Sequence, residues 1–93
     1  MVLEVAYDLH NPGRDYTAVK KQLESASGGW AHPQGSVWLI DTLNDPAWWR
    51  DQLKDCGDAN DEYLVTRVAS REWASFNMDS EVAEWLKSSS RRW

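Results

Sequence analysis

Along this chain the spacing of apolar residues switches between every second position and every third or fourth, and the order of those switches limits the folds open to it. From Val2 to Leu9 the chain is apolar-rich and β-prone, with Val5 and Tyr7 alternating against Glu4 and Ala6, and it stops at Asn11-Pro12-Gly13. Asp15 is placed to cap a helix running to about Ser25, in which Val19, Leu23 and Ala26 form a buried stripe before Gly28-Gly29. Residues Trp30 to Pro33 read as loop, and Ser36 to Asp41 as a strand covered on both faces. Asn44 or Asp45 caps a second helix with Pro46 in its first turn, carrying Trp48, Trp49 and Leu53 and closing at Gly57. Glu62 to Ala69 alternates again, with Leu64, Thr66 and Val68 on one side and Tyr63, Val65 and Arg67 on the other. A tight Ser70-Arg71 connection then leads to a short strand at Glu72 to Phe76. Asp79 caps a last helix on which Val82, Trp85 and Leu86 share a face.

The order is β-α-β-α-β-β-α, or β-α-β-β-α-β with a weak strand near Trp30. Either version predicts an α+β domain of the ferredoxin-like kind: a small antiparallel sheet with two helices on one face, plus a C-terminal helix. Residues 1–87 form this single domain, and 88–93 a frayed, flexible tail. Two helices leave the second sheet face open although the strands are apolar on both sides. A second copy, another protein or the last helix must cover it.

At 93 residues the chain has room for one modest core. Its seven tryptophans, each able to bury on the order of 200 Å², offset that shortage. Fifteen acidic against ten basic residues leave a net charge of −5, which argues against a phosphate-tracking groove and makes nucleic acid an improbable partner. The arginines at 67, 71, 91 and 92 are scattered and read as solvated-face charge. A single cysteine, Cys56, forbids an intrachain disulfide. No apolar run approaches membrane-spanning length and the N-terminus has no signal-peptide pattern, so the expected setting is cytoplasmic and away from membranes.

Strand one ends in Tyr7-Asp8-Leu9 and the next strand is entered by Gln34-Gly35-Ser36-Val37-Trp38. This pair of motifs resembles the CRISPR-associated Cas-two family and its stand-alone relatives, over residues 3–69. The resemblance implies a ferredoxin-like fold and a homodimer. In members that act as metal-dependent nucleases, it also implies a divalent ion held by the strand-one aspartate of two facing subunits, here Asp8. The chain departs from that pattern in its acidity and its few arginines near the tip, where Arg14 is the one residue to serve.

Asp8 and His10, two positions apart, share a face if the strand continues, and Mg²⁺ takes one or two carboxylates plus water. They also read as turn residues bonding the Asn11-Pro12-Gly13 loop. His32 and Cys56 stand isolated, without zinc spacing. Ser36, Asp41 and His10 lack the surroundings of an acyl-transfer triad. Trp48 and Trp49 point about 100° apart on their helix, so one of them is left exposed or at an interface. Trp38 and Trp85 read as core.

The expected function is a protein-interaction module using Trp48, Trp49, Trp73 and Arg14, homodimeric, without a cofactor, of the sort a phage or other mobile element directs at a host protein. The alternative is a Mg²⁺-dependent endonuclease or messenger-RNA interferase built on Asp8 at a dimer interface.

Overall fold

The edges and centre of the sheet follow from which strands can be covered on both sides. A computed structural model describes residues 1–69 and 71–93. It forms β1 (Val2–Asp8), α1 (Thr17–Glu24), β2 (Trp30–Gln34), β3 (Val37–Asp41), α2 (Pro46–Cys56), β4 (Glu62–Val68) and α3 (Ser80–Lys87). The strands lie in the order β2-β3-β1-β4 and every pairing is antiparallel. The apolar β1 and β3 take the centre, with Val5 opposite both Trp38 and Val65. This is the ferredoxin-like α+β arrangement, with α3 added.

On one face Leu3, Val5, Trp38 and Ile40 meet Val19, Leu23 and Ala26 of the α1 segment and Trp49 and Leu53 of α2. Each such aliphatic side chain contributes about 1.5–3 kcal/mol when buried. The two buried indoles are satisfied: Trp38 Nε1 donates to Tyr7 Oη at 3.0 Å, and Trp49 Nε1 donates to Thr42 Oγ1 at 3.0 Å. Asp45 starts α2, its carboxylate accepting from the Trp48 N–H at 2.8 Å with Pro46 next. Asp79 starts α3 in the same way, accepting from the Glu81 N–H at 2.9 Å. Helix α1 begins one residue beyond the expected cap, at Tyr16, while Asp15 Oδ1 accepts from the Thr17 N–H.

Of the two element orders the one with a strand near Trp30 holds: Trp30 to Pro33, otherwise read as loop, belong to an edge strand, β2, with a register shift between Ala31 and Gln34 where Pro33 interrupts the ladder. Glu72 to Phe76 is not a strand. The edge beside β1 is already filled by β4, and the chain returns across the second face to reach α3. The Ser70-Arg71 connection falls in part on Ser70, outside the described residues.

Helix α3 settles part of the question of what covers that face. Val82 and Leu86 pack on Ala31, joined by Leu39, Trp73, Met78, Trp85 and Trp93. The cover extends over β2 and β3. Over β4 and its neighbour, Glu4, Leu64 and Thr66 remain exposed.

Residues 88–93, read from sequence as a frayed end with solvated arginines, have specific contacts, and Arg91 is the clear departure. Asp41, completely buried at the end of β3, draws these residues in. Its Oδ2 accepts from Arg91 Nη1 at 3.2 Å and from the Arg92 N–H at 3.1 Å. Its Oδ1 lies 3.5 Å from Arg92 Nε and 3.7 Å from the Met1 ammonium. Arg91 also donates to Gly28 O at 2.6 Å and to Trp85 O at 3.0 Å, and lies 3.9 Å from the centre of the Trp85 ring. A buried carboxylate requires such partners, because desolvation otherwise costs several kcal/mol. Gly28 is dictated by the same knot: a Cβ there would stand 2.6 Å from Asp41 Cγ. Gly29, at φ +92°, turns the chain into β2.

Candidate functional site

At the C-terminal end of β1 the register sets Asp8 directly beside Glu62, the first residue of β4. The strand stops there, so His10 does not extend the face of Asp8. It folds back from the loop, with Nε2 3.1 Å from Glu62 Oε1 and 3.9 Å from Asp8 Oδ2. Behind this trio, Asp61 joins two loops. Its Oδ1 accepts from the His10 N–H and from Tyr16 Oη, both at 2.8 Å, and its Oδ2 accepts from the Asp58 N–H at 2.7 Å. Burial opposes ionisation of Asp61, yet the three donors outweigh it and hold its carboxyl below the ordinary value. Arg14 faces Asp58 at 3.8 Å, so it braces the second loop and is not directed at Asp8.

The sequence reading singled out Asp8, His10 and Arg14 at this end of the sheet but not Asp61, which ties its loops together. Asp61 and Glu62 precede a strand that only the ferredoxin-like order brings next to β1. Asp8 and Glu62 are largely exposed, and among the described residues no group of three or more His, Cys, Asp or Glu side chains is placed to hold a metal ion. Ser36 and Asp41 lie at opposite ends of the β3 segment, with Asp41 committed to Arg91 and Arg92.

The tryptophans separate into distinct populations. Trp49 is 1% exposed and Trp48 39%, their rings edge to face at 5.2 Å. The expected contact role of Trp49 is thus corrected, since its ring belongs to the core and only Trp48 faces outward. Trp38 is core as expected. Trp73, Trp85 and Trp93 are half-buried against the second face. Trp30, taken as a loop residue, opens the β2 edge with its ring 5.0 Å from that of Trp38.

The feature with most capacity for contact is the β4 edge, which sequence reasoning passed over. The Tyr7 N–H donates to Ser36 O on the β3 side. Main-chain groups of Leu3, Val5 and Tyr7 therefore point to β3, and those of Val2, Glu4, Ala6 and Asp8 to β4. It follows that Tyr63, Val65 and Arg67 direct their N–H and C=O groups away from β1, at the free edge. The other edge, β2, is blunted by Pro33, by its register shift and by α3. β4 has seven residues without Pro, Gly or bulge, and carries Leu64 at 66% exposure. The signal for this in the sequence is the strand order itself, because the last strand of a βαββαβ unit lies at an edge.

Among the described residues no helix is long and apolar enough to cross a membrane. No family model, curated protein or solved structure matches the chain.

Proposed function

We propose that this protein is a cytoplasmic interaction module that works as a homodimer, two copies joining antiparallel through β4 into one continuous sheet. The observation that carries the reading is the unblunted β4 edge with outward main-chain groups at Tyr63, Val65 and Arg67 and a bare Leu64. An antiparallel partner must set like faces together, so a register centred on Val65 places Tyr63 opposite Arg67 and Leu64 opposite Thr66. Each narrow pair exchanges two hydrogen bonds, with net contributions of about 0.5–1.5 kcal/mol apiece. In that register no two residues of like charge stand opposite one another, so a second copy fits this edge. The homodimer expected from the Cas-two resemblance is of this general kind.

In this arrangement the two Asp8 residues lie at opposite ends of the joined strands, about 20 Å apart along them. A metal shared between them does not follow from it.

Sedimentation equilibrium tests the reading. Wild type is expected at twice the 10.7 kDa chain mass, and Leu64→Lys/Thr66→Lys at the chain mass with unchanged circular dichroism, because both side chains are exposed. A wild type that stays monomeric up to about 0.1 mM, a weak limit for a specific interface, or a variant that dimerises equally well, refutes it.

A further inference from the structure

At the opposite edge of the sheet, where β2 meets α3, lies a pocket of about 320 Å³. Trp30 and Trp85 line it together with Ala31, His32 and Val82, and Asp79 and Glu81 bring two carboxylates. Neither lysine nor arginine is among the lining residues. Trp30 is 38% exposed, a large aromatic surface for a residue that opens a strand. Asp79 is occupied in capping α3. The Glu81 carboxylate forms no hydrogen bond or ion pair among the described residues. It lies in the first turn of α3 and faces solvent. The imidazole of His32, also in the lining, is stacked on Trp38 at 3.9 Å with Nε2 3.2 Å from Gly35 O.

Indole faces attract cations through their quadrupole, and an unpaired carboxylate beside them adds direct attraction. The molecule already uses one of these rings in that way, with the Arg91 guanidinium over Trp85. The geometry points to a binding site for an arginine side chain of a partner polypeptide. A planar guanidinium can lie flat on an indole while its N–H edge donates to Glu81, which a lysine ammonium cannot do at once. The chain's net charge of −5 favours approach of a basic segment. The site lies at the edge remote from β4. It goes beyond the proposed dimer, and its test does not depend on the oligomeric state.

The probe is N-acetyl-arginine methylamide, with the neutral citrulline analogue and the lysine analogue beside it. Indole Nε1–H signals are followed by two-dimensional NMR and assigned with Trp30→Phe and Trp85→Phe. Saturable shifts are expected at Trp30 and Trp85 but not at Trp48. A single side chain should bind in the millimolar range, since an exposed cation–π contact is weak. Citrulline should produce no saturable shift and lysine should bind several-fold more weakly. Glu81→Gln, on an exposed side chain that leaves the fold intact, should weaken arginine binding about 1.4- to 5-fold, the range for one exposed ion pair. Citrulline shifts equal to those of arginine, lysine binding as tight as arginine, undiminished binding by Glu81→Gln, or no saturation at all would each overturn the assignment.

Discussion

Replacing Arg91 by methionine tests how the two ends of the chain are held. Methionine retains most of the apolar stem beside Trp85 but removes the cation and its bonds to Asp41 Oδ2, Gly28 O and Trp85 O. Removing one partner of a buried pair costs about 3–5 kcal/mol, because the remaining charge is left in low dielectric. Here Arg92 and the Met1 ammonium remain within 3.5 and 3.7 Å of the other carboxylate oxygen, which places the cost near the lower limit, about 3 kcal/mol. A domain of this size has roughly 5–14 kcal/mol in total, so the loss is a large share of it. It corresponds to a fall in Tm of roughly 12–24 °C. Urea unfolding followed by tryptophan fluorescence and by circular dichroism measures it, and a cycle with Asp41→Asn isolates the pair. Once Asp41 is neutral, removing Arg91 should cost far less. A loss below about 0.5 kcal/mol, the level of an exposed ion pair, would show that residues 88–93 do not hold the position described and would refute the reasoning.

Two other perturbations test the packing around the same frame. Gly28→Ala sets a Cβ 2.6 Å from Asp41 Cγ and 2.8 Å from Asp41 O. Neither atom can withdraw, so a loss near the upper end of the usual overpacking cost, about 3 kcal/mol, is expected in thermal melts, whereas Gly35→Ala, with nothing within 4 Å, serves as the neutral control. Tyr63 has a buried hydroxyl without a hydrogen-bond partner among the described residues, and burial, followed by the nearby Asp61 carboxylate, pushes its pKa up to about 12. Because the folded value exceeds the unfolded one, this contribution to stability is complete below pH 10 and is lost as pH rises to about 12. Melts across that window should show Tyr63→Phe at least as stable as wild type at neutral pH and with a shallower alkaline fall. Some fall remains from Tyr16, whose hydroxyl is also raised, and an unchanged alkaline slope would contradict the burial.

How much of this was legible in the sequence depended on the range of the interaction concerned. Capping by Asp79 and the alternation of β4 are local and were read directly, and the cap of α2 was narrowed to Asn44 or Asp45, of which Asp45 takes the place. Strand β2 was obscured because Pro33 and the polar His32 and Gln34 mask a segment held in the sheet by pairing with β3. Trp73 and Phe76 imitated a strand through composition, although the site beside β1 belongs to β4. Trp48 and Trp49 could not be ranked until the Thr42 hydroxyl offered a partner to one indole. Gly57, expected to close α2, does so at φ −104°. It is glycine because a Cβ would run into the Tyr63 hydroxyl and stand 2.7 Å from Asp61 Oδ2. Asp41 revealed least, since its cations lie fifty and more positions later.

That separation has a consequence for biosynthesis. When β1, β3 and β4 have emerged from the ribosome and can zip together, the carboxylate at position 41 still lacks the guanidinium that shields it. In the nascent sheet the Met1 ammonium is the one cation near that carboxylate until residues 91 and 92 swing across to clasp it. A product clipped before Arg91 would keep the same carboxylate without its guanidinium.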